Sequence, residues 1–181
     1  STLQAYSECE EILKQFLKKR NGSIFNTAGD SVIIEFTSAV NAVGFAVDFQ
    51  TRIMERNKSN NVSTKLEFRI GINMGDVISR RGNLLGDGVN IAARLEALSQ
   101  PNGICISKSI YDLVVPKTKM TFNDLGIQKV KQNEFHAYDV LLKPSQRRKL
   151  KSSKKSFNMP LIVIGSTLIL ILVVGFVSLI N

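Results

Sequence analysis

The chain has 181 residues, 44% of them hydrophobic, and a formal net charge of +9, which is enough for one domain with a real core. Seven of its 24 basic residues (Lys143, Arg147, Arg148, Lys149, Lys151, Lys154 and Lys155) fall in one acid-free stretch, leaving 17 basic against 15 acidic residues elsewhere. The high pI therefore describes a linker and implies no nucleic-acid-binding surface on the folded part. The two cysteines, Cys9 and Cys105, lack metal-ligand spacing, and His136, the single histidine, has no acid or nucleophile motif beside it. All three read as structural, with the thiols neutral.

In chain order, Leu3, Tyr6, Ile12, Leu13, Phe16 and Leu17 predict a helix over 3–19, and Asn21-Gly22 ends it. Strands are expected over 23–26 and 31–36. Ser38 reads as the N-cap of a second helix running to about Arg56, with Val40, Val43, Val47, Phe49 and Ile53 for the core. A polar loop, 57–61, leads to strands over 65–74 and 76–80, separated by Gly75. A third helix runs to Ser99, followed by a strand at 104–107, a short helix at 108–114, and strands at 120–125 and 135–142. Crossover helices mixed with hairpins give an α+β class.

Three segments carry chemical information. In Gly86-Asp87-Gly88-Val89-Asn90-Ile91-Ala92-Ala93-Arg94, a glycine pair opens the third helix, and Asn90 and Arg94 share one face, a turn apart. An amide beside a permanently charged fork suits a phosphorylated ligand bearing hydroxyls. Taken alone, the spacing also fits a buried helix with one surface arginine. Asn26-Thr27-Ala28-Gly29-Asp30-Ser31 reads as a tight turn between two strands, with Asp30 at its edge. Phe68-Arg69-Ile70-Gly71-Ile72-Asn73-Met74-Gly75-Asp76-Val77 reads as a long central strand.

These segments, in this order and spacing, together with Pro101-Asn102-Gly103-Ile104-Cys105-Ile106-Ser107, resemble the catalytic domain of bacterial class III adenylate/guanylate cyclases over residues 1–142. The resemblance implies a ferredoxin-like cyclase sheet with helices. It implies conversion of a nucleoside triphosphate to the 3′,5′-cyclic monophosphate and pyrophosphate, by attack of the 3′-hydroxyl on the α-phosphorus. Asp30 matches a carboxylate of a two-metal Mg²⁺ or Mn²⁺ site. Asn90 matches the ribose-orienting asparagine, and Arg94 the arginine that stabilises the transition state. Lys131 is the candidate contact to the terminal phosphates, a solvated lysine being the other reading. Asn26 and Asn83 occupy the base-reading positions, where neither the adenine nor the guanine pattern of the family is present. An asparagine amide can donate or accept, so the base stays open, with ATP favoured over GTP. The family builds its site between two protomers, so a homodimer is expected, with no nucleic-acid partner.

Residues 143–158 read as a basic juxtamembrane linker and 159–181 as a single transmembrane helix, since 161–180 holds no charged residue and about 20 apolar residues span a bilayer. The basic cluster would keep the catalytic part in the cytoplasm, at an inner or plasma membrane. The family's first strand, with its other metal aspartate, is not found before Ser1. The expectation is a truncated fragment of weak or no turnover. Two functions compete: a membrane-anchored cyclase in intracellular signalling, and an inactive cyclase-homology module for dimerisation or signal relay. A diguanylate cyclase is a weaker third reading, without its Gly-Gly-Asp/Glu-Glu-Phe signature.

Overall fold

The computed structural model describes residues 2–28, 31–59, 62, 64–76, 78–80, 83–85, 87–130, 133–149 and 168–178. The elements are α1 (Thr2–Arg20), β1 (Gly22–Ala28), β2 (Ser31–Phe36), α2 (Ala39–Lys58), β3 (Leu66–Asp76), β4 (Ile78–Arg80), β5 (Asn83–Leu85), α3 (Asp87–Leu98), β6 (Gly103–Ser107), α4 (Lys108–Val114), β7 (Thr121–Val130), β8 (Asn133–Leu141) and β9 (Leu168–Ser178). Seven strands form one sheet in the order β1-β2-β9-β3-β6-β8-β7, and β4 and β5 form a separate hairpin. Within the large sheet β3 and β6 are parallel, and the other neighbouring pairs are antiparallel. The α+β class expected from the sequence is the one observed.

Alternation along the strands sorts the two faces. Leu66, Phe68, Ile70 and Ile72 of β3, with Ile104 and Ile106 of β6, join α1, α2 and α4 in the main core. The intervening residues face α3, where Leu95 packs with Cys105, Leu125, Phe135 and Ala137. Ser38 caps α2 as expected, its hydroxyl accepting from the Asn41 amide at 3.3 Å. Asn21, with φ 55, takes the left-handed residue that ends α1. The buried row of α1 is Ala5, Cys9, Leu13 and Leu17, an i, i+4 series. Leu3 and Tyr6, assigned to that face from the sequence, are exposed. The glycine at 75 does not break the strand as expected; β3 runs through it to Asp76.

The larger correction lies at the C-terminal end. Where the sequence predicts a transmembrane helix over 159–181, the described part, Leu168–Ser178, is a strand. It lies between β2 and β3, with Val173 opposite both Ile33 and Gly71. The physical reason is that an uncharged run suits two surroundings. Rich in Leu, Ile and Val, it satisfies a bilayer, and it equally satisfies a strand walled in on both sides. Among the described residues no helix is long and apolar enough to cross a membrane.

Candidate active site

The site is organised by how α3 lies on the sheet. A Cβ added to Gly71 would meet the Ala92 carbonyl oxygen and the Glu96 amide nitrogen, each at 2.2 Å; one added to Gly75 would meet the Gly88 Cα at 2.8 Å. Between these glycines the buried Asn73 donates from Nδ2 to the Gly88 carbonyl at 3.1 Å. The row Gly71, Asn73, Gly75 thus lets the α3 backbone rest on β3 and pins its first turn. Gly75, read from the sequence as a break, serves close approach instead. Gly88, Ala92 and Leu95 face inward and are buried, while Asn90 and Arg94 are exposed on the outer side. A rigid backbone therefore presents an amide and a guanidinium to solvent one turn apart. That pair can hydrogen-bond hydroxyls and hold phosphoryl charge.

The remaining expected site residues are placed as follows. Asn26 lies in β1 next to an irregularity in its pairing with β2, and its Oδ1 accepts from the Thr27 amide at 2.8 Å. Asn83 starts β5, paired with Arg80; its side chain is outside the description. Asp30, in the β1–β2 turn, and Lys131, between β7 and β8, lie outside the described residues. Within one chain β9 separates β2 from β3, on which α3 lies. Asn26 and the Asn90/Arg94 pair therefore belong to different parts of the sheet. Among the described residues no group of three or more His, Cys, Asp or Glu side chains could hold a metal ion. Those residues alone do not fit a divalent-metal site.

Sequence reading missed several residues that set up this region. Asn73 was visible as the lone polar side chain between two glycines in an apolar strand. Arg148 was hidden in the basic run. It forks the Asp139 carboxylate, Nε to Oδ2 at 2.8 Å and Nη2 to Oδ1 at 2.9 Å, and this pairing pushes its pKa up. Both thiols are neutral, as expected. Burial raises the Cys9 pKa. Burial and then the Asp139 carboxylate push that of Cys105 well above the ordinary thiol range. His136 is bonded through Nε2 to Asp124 and stacks on Tyr138 with ring centroids 4.7 Å apart. The Asp124 carboxyl is held below its ordinary value, first by that bond. This is a structural arrangement on β7 and β8, away from α3's outer side.

The fold is that of a nucleotide-cyclase type of domain. The chain belongs to the adenylate and guanylate cyclase catalytic domain family, whose model matches residues 3–142. It is 38% identical over 125 residues to putative adenylate cyclase 3 of Rhizobium meliloti (strain 1021), a match covering 69% of this chain and 21% of that protein. The chain thus spans about a fifth of that relative's length. Among solved structures, the adenylate/guanylate cyclase/hydrolase of Silicibacter pomeroyi superposes with a TM-score of 0.72 at 30% identity, covering 78% of this chain and 85% of that one. The catalytic core of a rhodopsin-guanylyl cyclase with converted specificity, in complex with ATPαS, superposes with a TM-score of 0.60 at 25% identity, covering 75% and 79%.

Proposed function

We propose that the chain is the catalytic domain of a homodimeric nucleotide cyclase that converts ATP to cyclic AMP and pyrophosphate. The observation that carries this reading is the exposed Asn90/Arg94 pair on a helix held down by Gly71, Asn73 and Gly75. In the step proposed, the ribose 3′-oxygen bonds to the α-phosphorus and loses its proton to solvent water. The bond from that phosphorus to the bridging oxygen breaks, and pyrophosphate leaves. Asn90 orients the ribose. Arg94 holds charge growing on the phosphoryl oxygens, an interaction stronger in the transition state than in the ground state. Asn26 and Asn83 read the base, Lys131 contacts the terminal phosphates, and Asp30 is the carboxylate offered to Mg²⁺ or Mn²⁺. ATP is favoured over GTP because the relative that is 38% identical is named a putative adenylate cyclase.

The homodimer is supported by the separation of β1 from α3 within one chain. A two-fold pairing can bring the hairpin of one copy to α3 of the other. The test is complementation. Asp30→Asn and Arg94→Ala each lose turnover with ATP and Mn²⁺. An equal mixture regains about a quarter of the parent rate, because half the dimers are mixed and each mixed dimer has one intact site. A mixture as inactive as either variant removes the shared site. A parent chain that dimerises but cyclises neither ATP nor GTP is a cyclase-homology module for dimerisation or signal relay.

A cytoplasmic position at an inner or plasma membrane is the localisation we add to this proposal. The acid-free basic run 143–155 supports it, through attraction to anionic lipid. Flotation of the full chain with anionic vesicles tests it.

A further inference from the structure

The structure assigns Arg148 a positioning role: it ties the segment that follows β8 to the end of the helix that carries Asn90 and Arg94. This inference rests on the cyclase reading for its effect on turnover, while the tether itself stands on geometry.

Leu98 is the last residue of α3, one turn beyond Arg94. The last carbonyls of a helix have no partner within it and carry the negative end of its dipole. The last turn of α3 contains no basic residue. The cation comes instead from 50 residues away: Arg148 Nη2 donates to the Leu98 carbonyl at 2.8 Å. The same guanidinium grips both oxygens of Asp139 on β8. The main chain of Arg148 is fixed as well, since Asn123 Nδ2 of β7 donates to its carbonyl at 2.7 Å. Arg148 and Asp139 side chains are only 17% and 10% exposed, so water competes weakly for these bonds. Three elements meet on one residue. Its neighbours Arg147 and Lys149 are exposed.

Two consequences follow. The glycine row fixes α3 at Gly88, Ala92 and Glu96, and Arg148 fixes it at Leu98, so Arg94 projects from a helix secured on both sides. The same joint links the segment ahead of β9 to the placement of Arg94.

The experiment uses the full chain with Arg148→Ala, Arg148→Lys and the control Lys149→Ala. Lysine keeps the charge but cannot hold two carboxylate oxygens and a carbonyl together. In Arg148→Ala, amide exchange at Leu95–Ser99 rises about tenfold or more while α2 is unchanged. In the same variant kcat for ATP with Mn²⁺ falls about tenfold and KM moves less than about twofold, since a misplaced arginine costs the transition state most. Arg148→Lys regains the unfolding midpoint but not kcat, and Lys149→Ala matches the parent. Unchanged exchange in α3, or a folded Arg148→Ala chain with the parent's kcat, overturns the role. So does a kcat that returns together with the midpoint in Arg148→Lys, which marks a merely structural residue. If the parent cyclises neither ATP nor GTP, the cyclase reading fails by itself, and exchange alone decides the tether: faster in α3 with α2 unchanged upholds it, unchanged overturns it.

Discussion

Gly71 of β3 and Ala92 of α3 approach so closely that a Cβ on the glycine would stand 2.2 Å from the Ala92 carbonyl oxygen. The obstacle is backbone, which cannot rotate aside as a side chain can. Gly71→Ala must lift α3 from the sheet or bend β3. Overpacking of this kind costs about 1–3 kcal/mol or more. The expected result is a lowered unfolding midpoint and, well below that midpoint, a loss of turnover larger than the loss of folded protein. Parent-like turnover in Gly71→Ala would mean that the seating of α3 does not set the site.

Arg94 is exposed, so its replacement removes charge without opening a cavity. Arg94→Ala should leave the unfolding free energy within about 0.5 kcal/mol of the parent. Its kcat should fall about 10²–10³-fold, the scale of losing one preorganised group at a developing charge. Steady-state kinetics beside a urea titration separates the two effects. A variant that cyclises ATP as fast as the parent removes Arg94 from the reaction.

The Cys105 thiol gives a pH prediction. Burial, helped by the Asp139 carboxylate, raises its pKa above the ordinary value of 9.0. Below that ordinary value both folded and unfolded chains hold the proton, and the contribution to stability is constant. Above it the unfolded chain loses the proton while the folded chain keeps it, so the folded state binds more protons and stability falls as pH rises. Cys105→Ser should flatten this alkaline decline, read as the urea midpoint from pH 7 to 10. Iodoacetamide should modify Cys105 only on unfolding, since the thiolate is the nucleophile.

What could be read from the sequence was what local spacing decides. The Asn90/Arg94 turn, the Ser38 cap and the β1–β2 hairpin each depend on a few adjacent residues, and each is present as expected. What was misread depends on distant partners. Gly75 looks like a strand end until Gly88 is seen against it. Arg148 is one of seven basic residues until Asp139 and Leu98 select it. Tyr6 has the right apolar character for α1's inner face, but the row at 5, 9, 13 and 17 is the one that is buried. Asp30 and Lys131, the two candidates in turns, lie outside the described residues. For the 161–180 run, periodicity offers no choice between helix and strand, because every position is apolar or small.

A proline distinguishes the two placements of that run. Val173 pairs with Ile33 on one side and with Gly71 on the other, so β9 is an interior strand at this point. Proline there lacks the N–H that a ladder needs and is essentially confined to edges and bulges. In a membrane helix the same residue is tolerated, because neighbouring groups satisfy the freed carbonyl. With β9 in the sheet, Val173→Pro should cost about 4 kcal/mol or more, the range of severe backbone defects, and should abolish the cooperative urea transition of the whole domain. The loss spreads because β2 and β3 are joined only through β9 in this order. An unchanged transition, with flotation on anionic vesicles equal to the parent's, would instead place the run in lipid and leave β2 and β3 to be joined by something else.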